Sequence, residues 1–159
     1  MGTGFLSRFL MVGILICAWQ VTHAQISPIK MEKVDSLISL QPKPILVLLS
    51  TDWCQYCAMQ KNQIGKNKKF TAKADLFYFV DFDSEQKEPV TFANKTYHFK
   101  PKGVNTGTHD LAIALNGSPK ISYPSWVLLD HQYNPLFRHN GLLNPSQINE
   151  LVKAIESAF

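Results

Sequence analysis

The sequence predicts an α/β domain built on a mixed β-sheet, and three features support this prediction. Residues 45–49, ILVLL, form a continuous apolar run of strand length, as expected for a strand covered on both faces. Residues 76–83, LFYFVDFD, are rich in aromatic and β-branched side chains. A helix-like segment lies between them, so the two strands should be parallel with a right-handed crossover. A later hairpin adds antiparallel strands.

The first 24 residues have the pattern of a cleaved secretory signal peptide. MGTGFLSR carries one positive charge, FLMVGILICAW is apolar, and QVTHA ends in a small residue. We therefore expect cleavage after Ala24 and one domain over 25–159. The apolar run is shorter than the roughly 20 residues of a membrane-spanning helix, although an uncleaved anchor is an alternative. Lipid attachment at Cys17 is disfavoured by Ile16 before it.

The expected export allows the cysteines to form a disulfide, because thiols are not kept reduced by default outside the cytosol. Loss of Cys17 with the leader leaves Cys54 and Cys57 as a pair able to form a disulfide. A bacterial periplasm fits better than a eukaryotic secretory lumen, since no retention tetrapeptide ends the sequence.

The first half of the sequence predicts three helices. Ser27 and Pro28 predict the start of an amphipathic helix over 28–40. A second helix is expected from Cys54 to about Ile64, ended by Gly65. A short third helix should follow over 68–74, with Asn67 as its cap.

The second half predicts two hairpins and two helices. Residues 90–99 alternate around Asn94 and Lys95, and WVLLD and PLFRH flank a polar turn containing Asn134. Between the hairpins, Thr108 should cap a helix through Leu115. The last helix should have Asn144 as cap, Pro145 in its first position and Gln147 completing a capping box. Its apolar stripe comprises Ile148, Leu151, Val152 and Ile155.

The two cysteines follow the C-terminal end of a buried strand, where open α/β sheets tend to place their chemistry. At a helix N-terminus, unpaired N–H groups and the helix dipole favour the thiolate of the first cysteine. Cys54 would then attack a partner's disulfide. Cys57, one turn later, would resolve the mixed disulfide.

Other uses of the cysteine pair fit less well. A loop of four residues constrains the unfolded chain little, so a plain staple is a poor explanation. Structural zinc needs about four ligands, and there is no second Cys-x-x-Cys or finger-spaced histidine pair. Covalent haem attachment requires His after the second cysteine, where Ala58 stands. We expect no metal or cofactor.

The formal charge of +4 falls to +3 when Arg8 is removed with the leader. Much of it comes from lysines that predict a solvated helical face or, alternatively, a dock for an acidic partner. No aromatic residues interleave with them as in nucleic-acid modules, so we expect no nucleic-acid binding. These lysines are Lys61, Lys66, Lys68, Lys69 and Lys73.

WCQYC after an apolar strand, then YPSWVLLD, then Gly141 before a final amphipathic helix, resembles the thioredoxin superfamily. The resemblance covers about 44–159. DWCQYCAMQ, followed by Phe70 and FVDFDSE, is similar to exported thioredoxin-like proteins and to the C-terminal domain of the transmembrane thiol reductase. It implies a thioredoxin fold, with helices flanking the sheet, and a monomeric thiol-disulfide oxidoreductase. It also implies protein disulfide or dithiol substrates and a membrane-bound or soluble redox partner.

The resemblance also implies roles for individual residues. Cys54 is the attacking thiol, Cys57 the resolving thiol, and Tyr123-Pro124 a cis peptide facing them. Such a peptide exposes the Tyr123 backbone so that a substrate strand can pair beside the cysteines. Alternatively, Pro124 is a strand-entry proline.

Two aromatic residues of the motif have implied roles at the site. Trp53 would shield the rim of the site, with core packing as the alternative. Tyr56, between the cysteines, would adjust the thiolate and touch the substrate.

The sequence departs from the family in two places. The family buries an Asp six positions before the first cysteine to help deprotonate the resolving thiol, and here that position is Leu48. Either Asp52, a water or a lysine such as Lys61 takes over the role of that Asp, or the resolving thiol reacts slowly. The segment 84–120 is also long, with an inserted hairpin before the cis-proline strand. It either selects partners near the site or is a solvent-exposed decoration.

The direction of electron flow is not fixed by these residues, because one scaffold supports potentials from about −270 to about −120 mV. We favour a reductant over an oxidase or isomerase. The alternative of another class is a thioredoxin-fold binding module whose cysteines are a passive pair.

Overall fold

The computed structural model describes residues 26–159. A four-stranded sheet of order β2-β1-β7-β8 forms its centre, with β1 parallel to β2 and the other neighbours antiparallel. Two hairpins, β3-β4 and β5-β6, lie outside this sheet. The elements are α1 (Val34–Leu40), β1 (Ile45–Ser50), α2 (Gln55–Lys66), α3 (Lys68–Ala72), β2 (Tyr78–Asp83), β3 (Val90–Phe92), β4 (Lys95–Tyr97), β5 (Phe99–Gly103), β6 (Thr106–His109), α4 (Asp110–Asn116), β7 (Ser125–Leu129), β8 (Pro135–Asn140) and α5 (Pro145–Ala158).

The predicted mixed sheet and its central strand are confirmed, since every residue of β1 is buried. Ile45, Val47 and Leu49 face one core with α1 and α4. Leu46 and Leu48 face a second core, which contains residues of α2, α3 and α5. Alternate side chains of a strand point to opposite faces, so one apolar run supplies both layers.

The predicted α2 and α3 are present, but α2 ends later than expected. Gly65 lies inside the helix, which runs through Lys66, and Asn67 follows as its C-cap. Asn67 also caps α3, as predicted, because its side chain accepts a hydrogen bond from the N–H of Phe70. The predicted end of α3 was two residues too late.

The prediction that a helix begins at Ser27 and Pro28 was wrong. Residues 26–30 are not helical; a 3₁₀ turn spans Met31–Lys33, and α1 starts at Val34. The N–H of Ile29 instead donates to the carbonyl of Phe79 in β2, at 2.8 Å. That bond to the sheet edge keeps this stretch extended. The second strand also begins late, at Tyr78, because Ala74–Leu76 forms a 3₁₀ turn.

The hairpin predicted over 90–99 is present as β3-β4, with Ala93 and Asn94 in its turn, both at positive φ. A second hairpin, β5-β6, was not predicted. Thr108 lies in β6 and does not cap α4. The cap is His109, whose Nδ1 accepts from the N–H of Leu111 at 3.2 Å. An imidazole is absent from the usual set of N-cap residues, which explains the error.

The C-terminal hairpin and helix are confirmed. β7 and β8 pair antiparallel, and α5 carries the full capping box between Asn144 and Gln147, with Pro145 in its first turn. The predicted stripe of α5 is buried.

The predicted signal peptide and its cleavage point lie outside the described residues. Over 26–159, none of the helices combines the length and apolar character needed to cross a membrane.

Candidate active site

Cys54 and Cys57 form a disulfide at the N-terminus of α2, with their Cα atoms 5.2 Å apart. Cys54 is the N-cap, and its Sγ accepts a hydrogen bond from the N–H of Cys57 at 3.0 Å. The same contact would stabilise a thiolate on Cys54 in the reduced protein. Cys54 is 6% exposed and Cys57 1% exposed, so Cys54 is the more accessible of the two residues.

Exposed aromatic residues stand beside the disulfide. Trp53 is 66% exposed and Tyr56 63% exposed, so Trp53 does not belong to the core. The Trp53 ring meets the Tyr123 ring edge-on, with 6.1 Å between centroids. These three residues, here called the aromatic rim, offer a surface for an apolar or backbone contact next to the sulfur atoms.

The peptide bond between Tyr123 and Pro124 is cis, the geometry that the resemblance implies. The contact between Tyr123 and Trp53 places this peptide beside the cysteine motif. The carbonyl of Pro124 accepts from the N–H of Gly141 at 2.7 Å, and β7 begins at the next residue. The loop before α5 therefore holds this segment in place.

Acidic side chains border the rim on the side of β2. Glu85 Oε2 accepts from Trp53 Nε1 at 3.0 Å, so the segment 84–120 starts beside the site. Burial raises the pKa of Asp83, and the hydrogen bond from the N–H of Glu85 lowers it. The nearby carboxylates also raise this pKa; they belong to Asp52, Glu85 and Asp81. Burial likewise raises the pKa of Tyr123.

The chain matches the family model described as a thioredoxin-like domain over residues 31–156, most of its length. It belongs to the thioredoxin-like family. Among solved structures, the thioredoxin-like chain resembles the DsbH oxidoreductase with a TM-score of 0.56 at 16% identity, covering 86% of this chain and 89% of that one.

Two further structures show the same fold. A thioredoxin-fold protein from Helicobacter pylori has a TM-score of 0.56 at 16% identity, covering 73% and 70% of the two chains. A disulphide isomerase from Xylella fastidiosa Temecula1 has a TM-score of 0.52 at 17% identity, covering 78% and 86%. No curated protein matches the sequence. At these identities the likeness establishes the thioredoxin fold.

The thioredoxin-like chain has a polar network on the strand next to the position at which the family buries an Asp. Leu48 is fully buried in the apolar core on the α2 side. Asp81 is its register partner on β2. One Asp81 oxygen accepts from Ser50 Oγ at 2.5 Å, and the other pairs with Lys61 Nζ at 3.0 Å. The sequence had suggested Lys61 but not Asp81.

Gln60 is a second site residue that the sequence pattern does not single out. It is fully buried on α2, three residues after Cys57. Its Oε1 accepts from the N–H of Leu143 at 2.7 Å and from Trp126 Nε1 at 3.4 Å, and its Nε2 donates to the carbonyl of Leu143 at 3.2 Å. Gln60 thereby ties the cysteine helix to the loop that holds Pro124. A polar residue on the buried side of an amphipathic pattern was the only available signal.

Within residues 26–159, no group of three or more His, Cys, Asp or Glu side chains is placed so that it could hold a metal ion.

Proposed function

We propose that this thioredoxin-like protein exchanges disulfides with exported proteins through Cys54 and Cys57, acting as a reductant. The carrying observation is the disulfide at the N-terminus of α2, with Cys54 capping the helix. Thiolate is the reactive form, and a helix N-terminus favours it. No bound cofactor is required.

The exchange proceeds in two steps. The Cys54 thiolate attacks one sulfur of a protein disulfide, forming a mixed disulfide and releasing the first substrate thiolate. Cys57 then loses its proton and attacks Cys54 Sγ, which forms the internal disulfide and releases the second substrate thiolate. Two electrons pass from the protein to its substrate. A separate reductant, membrane-bound or soluble, returns the pair to the dithiol.

The aromatic rim and Pro124 are the proposed substrate contacts. Tyr56 and Trp53 are exposed beside the sulfur atoms, and the backbone of Tyr123 precedes the cis bond. An extended segment of the substrate would pair with that backbone, as in strand addition. Function as a monomer in the periplasm completes the proposal.

The first test compares the two single cysteine variants. Cys54→Ser should abolish reduction of a protein disulfide, whereas Cys57→Ser should accumulate mixed disulfides with its partners, seen as adducts that dithiothreitol releases. Both variants should fold, as circular dichroism would show. If both variants retain a partner without a covalent adduct, the cysteines are a passive pair and the protein is a binding module.

A further inference from the structure

Cys57 is almost completely buried, so its proton has no direct route to bulk water. In the exchange proposed above, on which this inference rests, that proton must leave before the sulfur can attack Cys54. A general base within hydrogen-bond reach, or one water away, is the usual solution. The position that the family uses for such a base is the apolar Leu48.

The contacts of α2 show which strands lie under its two flanks. Cys57, Gln60 and Ile64 are its buried residues. Gln60 contacts Trp126 of β7, whereas Lys61 contacts Asp81 of β2. Since β1 lies between β2 and β7 in the sheet, α2 passes over β1.

Cys57 therefore lies over β1, one helical turn before Lys61. Ser50 and Leu48 alternate with Leu49 on β1, so they share the face that meets α2. Asp81 is paired with Leu48 in the parallel register, and neighbouring strands lie about 4.8 Å apart. The carboxylate is thus one strand away from the Leu48 position, at the same level of the sheet.

We propose that Asp81 is the proton acceptor for Cys57, held under α2 by Lys61 and Ser50. The two contacts occupy one oxygen each and fix the carboxylate under α2. When Cys57 attacks, its thiol proton passes to Asp81, the bond between the two protein sulfurs forms, and the bond from Cys54 to the substrate sulfur breaks. Asp81 returns the proton when the pair is reduced again.

Other charged groups near Asp81 come from two elements. Lys61 faces it from α2, and Asp83 lies two residues along β2. Asp52 and Glu85 act on Asp83 in turn. Because β1 presents only Ser50 and apolar residues, the direct partners of Asp81 are Lys61 and Ser50.

The test separates the two exchange steps with dithiobis-nitrobenzoate, a symmetric aromatic disulfide whose released thiolate is coloured. With the reduced protein in excess, the first coloured equivalent reports attack by Cys54 and the second reports resolution by Cys57. Asp81→Asn should slow the second phase by at least about tenfold near pH 7. It should change the first phase less than twofold.

Two carboxylate controls accompany this variant. Asp110→Asn removes the acid of another 3.0 Å ion pair, which Asp110 forms with Lys100 of the β5-β6 hairpin outside the central sheet, and should leave both phases unchanged. Asp83→Asn should leave the second phase near the wild-type rate. If Asp83→Asn slows that phase and Asp81→Asn does not, Asp81 is not the acceptor.

If Asp81→Asn does not fold, Ser50→Ala is used in its place, because this variant keeps the ion pair between Lys61 and Asp81. Loss of the hydroxyl donor leaves one Asp81 oxygen without its partner, so the carboxylate is held less firmly under α2 and the second phase should slow near pH 7. The first phase should change less than twofold. Equal changes in both phases, or none, overturn the inference. If the wild type shows no first phase, the proposed function itself fails.

Discussion

At the scale of single residues, His109 is a titratable side chain that caps the N-terminus of α4. It is fully buried, its ring meets Phe82 edge-on, and Nε2 lies 3.2 Å from the carbonyl of Glu88. Nδ1 accepts from the N–H of Leu111, so the neutral ring carries its proton on Nε2. Burial lowers the pKa of His109, although the hydrogen bond to Glu88 and the Asp110 carboxylate oppose it.

A His109→Asn variant should make the free energy of unfolding less dependent on pH. In the wild type the unfolded chain takes up the proton first, so stability is lost as the pH falls below about 6.5. The extra slope is at most about 1.4 kcal/mol per pH unit. Urea unfolding between pH 7 and 5 measures it, with the exposed His131→Asn as control. Equal slopes for His109→Asn and the wild type would rule out this role of His109.

The sequence identified the cysteine pair because its chemistry depends on local spacing. Asp81 and Gln60 were missed because their roles arise from packing between distant segments. Asp81 meets Lys61 from 20 residues away, and Gln60 meets Leu143 from 83 residues away. One sequence gives no register between β1 and β2 beyond their apolar patterns.

At the scale of elements, α5 depends on its capping box. Asn144 Oδ1 accepts from the N–H of Gln147 at 3.0 Å, and the Gln147 side chain accepts from the N–H of Asn144 at 2.9 Å. The helix covers the core face formed by Leu46 and Leu48. Fraying of its first turn would loosen that layer.

Asn144→Ala should lower the free energy of unfolding by about 1 kcal/mol, because it leaves the N–H of Gln147 without its acceptor. Chemical denaturation measures this loss, and the rate of disulfide exchange should not change. Ser146→Ala, at an exposed position in the same turn, is the matched control. A loss of equal size in both variants would show that the cap is not responsible.

Hairpins outside the main sheet were harder to predict than the sheet itself. β5 contains Pro101 and is mostly exposed, and β6 carries Gly107, so neither shows a clear apolar alternation. Phe99 packs where a Cβ on Gly107 would otherwise lie. That close approach is a property of the folded pair and leaves no periodic signal.

At the scale of the whole molecule, the predicted thioredoxin fold brings three distant segments to one end of the sheet. The cysteine motif follows β1, Glu85 follows β2, and Pro124 precedes β7. Trp53 belongs to the cysteine motif and contacts Glu85, and its ring meets the ring of Tyr123, the residue before Pro124. The fold therefore assembles the site, whereas the direction of electron flow depends on the relative stability of the dithiol and the disulfide.

The most direct test of disulfide exchange is the equilibrium reduction potential of the protein. It is titrated in glutathione or dithiothreitol buffers and read by alkylation of Cys54 and Cys57. We predict a single two-electron transition near the thioredoxin value of about −270 mV. A value near −120 mV would make the protein an oxidant. A value well below about −300 mV, typical of structural disulfides, would contradict disulfide exchange as its function.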